Sequence, residues 1–281
     1  MKKIVLVVAG LMAAGVAQAV VNVGDGMTGL WRFQNSANFG AATYGSDITF
    51  NTSYGGLMTG PWTDIGTVDW HTRYSDGGIF QEQSWNYMSV AHGISANGGG
   101  SYVNQYTVAI DYYQGSLNGL WDGNYYNSLF QTSASNGNDG DLFIKGPDYA
   151  NSVIGSGDLG YSTATFNSGS WHRIVWSVNN GNFFRIYVDG ALYLDAAGQE
   201  VDGRYSLDPT FCLFADNDWE DSCGMVGTAA VWDRALTSDE VAGMGGWIDG
   251  AETPTAILVP EPGTLSLLAL GGLVLFRRIR R

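Results

Sequence analysis

The stretch Phe184-Arg185-Ile186-Tyr187-Val188-Asp189-Gly190-Ala191-Leu192-Tyr193-Leu194 decides the fold. Its two arms alternate apolar residues with others, the period of a strand with one buried face. Between them, Asp-Gly supplies the left-handed backbone that a two-residue type I′ hairpin turn requires. Working outward, residues 171–178 place His172, Ile174, Trp176 and Val178 on one face, and residues 106–112 set Val108 and Ile110 against Thr107, Ala109 and Asp111. Further strands are expected near residues 29–34, 128–132, 141–145, 210–215 and 225–232. With 40 glycines and only 6 prolines in 281 residues, the chain suits many short strands joined by turns. The expectation is an all-β fold, an antiparallel two-sheet β-sandwich of jelly-roll type. One short helix is expected after the strands, where Thr237-Ser238-Asp239-Glu240 forms a capping box and Gly243, Gly245 and Gly246 end the segment.

Both ends read as signals. Met1-Lys2-Lys3, an apolar run from Ile4 to Ala17 and then Ala17-Gln18-Ala19 form a secretory signal peptide with cleavage after Ala19. At the other end, Val259 and the box Pro260-Glu261-Pro262 precede an uncharged stretch from Leu265 to Phe276 and the cluster Arg277-Arg278-Ile279-Arg280-Arg281. That stretch has 12 residues, short of the roughly 20 of a stable transmembrane helix, while the arginines hold that end in the cytoplasm. The reading therefore divides the chain into a signal peptide (1–19), one β-sandwich (20–246), a linker (247–257) and a hydrophobic C-terminal sorting segment (258–281).

Between the signals, residues 20–259 hold 7 basic and 26 acidic side chains, a net charge of −19. Such a surface repels polyanions, which argues against nucleic acid and anionic lipid and leaves divalent cations as partners. Cys212 and Cys223 sit close together in an exported chain, which favours a disulfide stapling the loop between them; two reduced, buried thiols are the alternative. Inside that loop, Asp216-Asn217-Asp218-Trp219-Glu220-Asp221 is the densest cluster of hard oxygen ligands. Asp216, Asp218, Glu220 and Asp221 are candidate calcium ligands, with Asp139 and Asp141 of Asn138-Asp139-Gly140-Asp141 as a second set. A solvated acidic loop and a simple turn are the plainer readings. Trp219, set among polar residues, is the aromatic expected to touch a ligand, together with Asp216, Asn217 and Asp218; Trp62, Trp70 and Trp121 come next.

Three segments together resemble the laminin G-like, concanavalin A-like lectin/glucanase superfamily. They are Trp171-His172-Arg173 leading into Tyr187-Val188-Asp189-Gly190, residues 227–232 followed by Asp233-Arg234-Ala235-Leu236, and the helix start Thr237 to Val241. The resemblance covers about residues 160–245, with Gly29-Leu30-Trp31-Arg32-Phe33 similar to an opening strand; residues 35–95 match nothing nameable. The C-terminal segment resembles the PEP-CTERM sorting signal of Gram-negative bacteria. That likeness implies removal by an exosortase-type membrane protease, transient anchoring in the membrane, and delivery to the envelope, cell surface or exopolysaccharide matrix.

Hydrolases on this fold carry Glu-x-Asp-x-x-Glu on one strand, and the nearest approach is Glu200-Val201-Asp202-Gly203-Arg204-Tyr205, where tyrosine replaces the third acid and glycines predict a loop. The histidines His71, His92 and His172 lie in no nucleophile motif. No catalytic residue is therefore assigned. The expected function is a non-catalytic surface or matrix protein that binds polysaccharide or surface glycan, aided by calcium. The alternatives are a structural matrix protein without a small ligand and an atypical glycoside hydrolase.

Overall fold

The computed structural model describes residues 24–33, 38, 40–52, 80–82, 86–115, 117, 120–133, 139–215, 220 and 224–246. Strands follow one another as β1 (Met27–Trp31), β2 (Thr49–Thr52), β3 (Phe80–Glu82), β4 (Asn86–Ala91), β5 (Gln105–Gln114), β6 (Leu120–Trp121), β7 (Asn124–Gln131) and β8 (Asp141–Gly146). After a 3-10 turn at Tyr149–Asn151 come β9 (Val153–Ser156), β10 (Gly160–Tyr161), β11 (Trp171–Asn179), β12 (Phe183–Val188), β13 (Ala191–Ala197), β14 (Thr210–Leu213) and β15 (Gly224–Trp232), then the helix α1 (Ser238–Met244).

All pairings between named strands are antiparallel. They build one sheet in the order β1-β15-β5-β11-β12-β13, with β3 also on β15, and a second in the order β10-β9-β8-β7-β14-β4-β2, with β6 on β7. The sheets face each other over a single core. Val108, Ile110, Ile174, Trp176, Val178, Phe184 and Ile186 point in from the first; Met88, Val90, Phe130, Leu142, Ile144, Phe211 and Leu213 point in from the second. Residues 106–112 of β5, 174–178 of β11 and 184–188 of β12 thus alternate into this core as the sequence periodicity predicts, whereas His172, expected on the same face, is partly exposed.

Asp189 and Gly190 have φ of 50° and 80°, the left-handed pair of a type I′ turn, and β12 and β13 pair across them. The capping box forms as well: Thr237 Oγ1 accepts from Glu240 N, and the Glu240 carboxylate accepts from Thr237 N at 2.8 Å. The Arg234 guanidinium binds the same carboxylate at 2.7 Å and holds its pKa down at about 2.

Where the sequence offered no recognisable pattern, in residues 35–95, the chain contributes β2, β3 and β4, and β4 pairs with both β14 and β2 inside the second sheet. The expected Cys212–Cys223 disulfide is not supported. Cys212 is a free thiol, 1% exposed, in the middle of a ladder between Ser89 of β4 and Gln131 of β7. Burial pushes its pKa up to about 11, with a hydrogen bond to Ser89 opposing, so the thiol stays protonated and inert. Cys223 lies outside the described residues.

Candidate functional site

The outer face of the β5-containing sheet is sealed. Small and apolar side chains there, Leu30, Ala109, Val175 and Ala230 with Trp232, pack against Leu236, Val241 and Met244 of the C-terminal strap and helix. Polar outward residues fasten the strap. Ser177 Oγ donates to Leu236 O at 2.8 Å, Thr107 Oγ1 donates to Arg234 O at 2.9 Å, and the Tyr187 and Ser238 hydroxyls meet at 2.9 Å. Beneath them the Arg173 guanidinium grips Asp111 through two hydrogen bonds of 2.8 and 3.0 Å and donates a third to Met244 O at 2.7 Å. Both side chains of that ion pair are buried, and the bidentate geometry offsets the cost of removing them from water.

Among the described residues, no such strap covers the outer face of the other sheet. On β8, Leu142 and Ile144 turn inward, so Asp141, Phe143 and Lys145 turn outward. Tyr126 of β7 stands directly opposite Lys145, and Tyr161 of β10 pairs with Gly155 of β9, which in turn opposes Phe143. Gly155 adopts φ 155°, and a Cβ there would run into the carbonyl of Gly160. With no side chain between them, the Tyr161 and Tyr126 rings meet edge to face, centroids 6.5 Å apart, and Tyr126 meets Phe143 likewise at 6.1 Å. The Lys145 ammonium lies 4.8 Å from the centre of each tyrosine ring, a double cation–π contact. Lys145 is the only lysine in residues 20–259, and it has no ion-pair partner among the described residues. Burial, then the neighbouring Tyr126, Glu220, Tyr205 and Asp141, push the Tyr161 phenol well above its ordinary pKa, so it remains a hydrogen-bond donor.

Acidic groups frame this cluster. Arg204 donates from Nε to Asp139 O at 2.9 Å, bonds Asp158 through Nη1, and reaches within 3.7 Å of Asp141. Asp139 is 6% exposed; one of its carboxylate oxygens is buried without a hydrogen-bond partner, and burial raises its pKa. Glu220, the one described residue of the acidic segment, accepts from Ser128 N at 2.7 Å through its carbonyl, which places it at β7.

Of the residues singled out in the sequence, Glu220, Asp139 and Asp141 therefore border this face. Asp216, Asn217, Asp218, Trp219 and Asp221 lie outside the described residues, as do Trp62, Trp70, Ala19, Pro260, Glu261 and Pro262. No group of three or more His, Cys, Asp or Glu side chains converges among the described residues, and Asp141 is turned toward Arg204, so those residues alone do not supply calcium's six to eight oxygens. Sequence reasoning missed Tyr126, Phe143, Tyr161 and Lys145. The available signal was the alternation of Asp141, Phe143 and Lys145 on a strand whose other face is Leu142 and Ile144.

The segment reminiscent of a hydrolase strand is a loop. Asp202 sits at φ 58°, and its carboxylate accepts from Ser101 N, Tyr102 N and Asn104 Nδ2 at 2.7 to 3.0 Å, which holds its pKa down. Tyr205 is buried, its hydroxyl bonded to Ser156 at 2.7 Å. Neither described histidine has a ring nitrogen on a serine. His172 bonds Asp189 at 2.7 Å and Asn167 O at 2.9 Å; His92 accepts from Ile94 N at 3.0 Å and meets Asp208 O at 2.6 Å.

The two facing antiparallel sheets make a β-sandwich consistent with the concanavalin A-like fold. Residues 121–242 match the concanavalin A-like lectin/glucanases superfamily and residues 258–281 match the PEP-CTERM protein-sorting motif. The motif marks the protein as exported and sorted to the cell envelope. No curated protein matches the sequence. Among solved structures, Trypanosoma rangeli sialidase in complex with 2,3-difluorosialic acid, a covalent intermediate, superposes with a TM-score of 0.50 at 15% identity, over 85% of this chain and 35% of that one. Domain 4 of AbnA, a GH43 extracellular arabinanase from Geobacillus stearothermophilus in complex with arabinotriose, gives 0.49 at 16% identity, over 77% of this chain and 96% of that one. At these identities the likeness is one of fold.

Proposed function

We propose that this protein is an exported, non-catalytic glycan-binding protein of the envelope or extracellular matrix, and that it holds polysaccharide on the outer face of the β8-containing sheet. One observation carries the reading: half-buried Tyr126, Tyr161 and Lys145, packed with the buried Phe143, form an aromatic and cationic surface on a face where no strap lies among the described residues. Tyrosine rings offer an apolar platform with a polar edge, the combination that a sugar ring with its C–H and O–H groups fits. The non-catalytic part is supported by the engagement of Asp202 in a loop latch, which leaves Glu200 without an acid partner held on a rigid strand.

The full-length chain, purified in detergent, is assayed for retention on immobilised cellulose, laminarin, arabinan and alginate, in calcium or in chelator. Retention on at least one, weakened about tenfold by Tyr161→Ala, is the expected result. Folded protein that passes through every matrix in both conditions defeats the reading. The two conditions also decide whether calcium, expected from residues 216–221, takes part. Release of soluble sugar from any of the matrices defeats the non-catalytic part.

A further inference from the structure

A cleft of about 490 Å³ opens on the other side of the sandwich, where the strap crosses the ends of β5, β11 and β12. Gln105, Asn179 and Phe183 line one wall, and Thr237, Ser238 and Asp239 line the other. Its volume lies within the roughly 300–1,000 Å³ typical of small-ligand sites. Nothing above uses it.

The polar groups facing the cleft fall into two sets. The cations are spent: Arg185 is bonded to Asp195 at 2.8 Å and stacked 4.2 Å over the Phe183 ring, and Arg234 is clamped to Glu240. Helix α1 offers no open amide at Thr237 or Glu240, because the capping box closes both. What remains is neutral or acidic. The Gln105 amide donates to Asn179 Oδ1 at 3.3 Å, and Asn182 donates to the same oxygen at 3.0 Å. This leaves the Gln105 carbonyl and the Asn179 NH2 with capacity to spare, while the exposed Asp239 carboxylate has no partner among the described residues. One amide acceptor, one amide donor and one carboxylate acceptor, beside a phenyl ring that carries Arg185 on one face only, match the alternating hydroxyls and C–H groups of a neutral sugar. An anion would meet Asp239 with both guanidinium groups already neutralised.

We propose that this cleft is a second saccharide site, selective for neutral sugar units. Together with the open face it makes the protein bivalent. The bivalence rests on the glycan reading above; the cleft itself does not.

Isothermal titration of the full-length chain with cellotriose, laminaritriose, xylotriose and arabinotriose, on wild type, Asp239→Ala, Asn179→Ala and Tyr161→Ala, separates the two claims. Asp239 is exposed and has no ion-pair partner among the described residues, so Asp239→Ala is expected to fold as wild type does. The expected result is a neutral trisaccharide binding in two classes. Asp239→Ala or Asn179→Ala weakens one class about tenfold, and Tyr161→Ala weakens the other. Loss of the cleft class with an unchanged Tyr161→Ala variant overturns the open-face reading alone. If both cleft variants bind all four sugars as wild type does, or wild type binds none, the cleft proposal is overturned.

Discussion

The two outer faces of this sandwich are made by the same strand alternation and have opposite fates. On β5, β11 and β15 the outward positions are Ala109, Val175 and Ala230, flanked by the buried pair Asp111–Arg173, and a segment of the chain's own C-terminus lies on them. On β7, β8 and β10 the outward positions are Tyr126, Phe143, Lys145 and Tyr161, and the rings pack on each other instead. Small outward side chains let a covering segment approach; large amphipathic ones keep a sheet half open while satisfying themselves laterally. The contrast shows that period 2 identifies a strand, but the size of its outward residues tells whether that face is covered.

The comparison breaks most visibly at the sealed face. Arg173→Met strands the Asp111 carboxylate in a dry interface and is expected to cost about 3–5 kcal/mol in urea unfolding, while the double change Arg173→Met with Asp111→Leu recovers most of it. On the open face the effect moves from stability to binding. Lys145→Met is expected to shift the unfolding midpoint little and to weaken polysaccharide retention about tenfold, read on the same immobilised matrices.

Acid separates the two regions further. His92 sits beneath the second sheet with its pKa lowered from 6.5, chiefly by burial, so the unfolded chain takes up the proton first. Its contribution is whole above pH 6.5 and is lost as pH falls toward the lowered value. Glu240, which ties the strap to Arg234, keeps its contribution above pH 4.5 and loses it toward about pH 2. Asp139, whose pKa burial raises, works in the opposite sense. Difference curves against His92→Gln and Glu240→Gln in urea titrations from pH 7 to pH 3 are therefore the measurement. A His92→Gln curve parallel to wild type between pH 7 and 5 refutes the assignment. The smallest expected effect is at the cap: Thr237→Ala leaves Glu240 N without its acceptor and costs about 1 kcal/mol, read as a lowered melting temperature.

Much of this architecture was legible because it was local. The Asp189-Gly190 turn, the strands around Val108 and Trp176 and the capping box at Thr237 each follow from neighbouring residues, and each forms. The strands β2, β3 and β4 were not legible, since their pairing partners lie far along the chain and β3 spans only Phe80–Glu82. The Asp111–Arg173 pair escaped for the same reason: it joins residues 62 apart that are brought together only by the β5–β11 ladder. As for the site, Asp139, Asp141 and Glu220 were singled out because acids cluster in sequence, but as calcium ligands and not as the border of an aromatic face. Tyr126, Lys145 and Tyr161 come from three strands, and no window of sequence holds them together. The disulfide expectation arose from the export signal, the even number of cysteines and their spacing, whereas the fate of Cys212 is set by its place inside a ladder.

The strap has a mechanical consequence. The described fold ends at Gly246, where a Cβ would press into Asp189, so the chain departs from the sealed side of the sandwich, ahead of the sorting motif at 258–281. Any tug on that tail is delivered first to the Arg173 grip on Met244 O, and only through it to the sheet. The last described residues are thereby pinned to the first sheet, on the side of the sandwich away from the tyrosine-lined face.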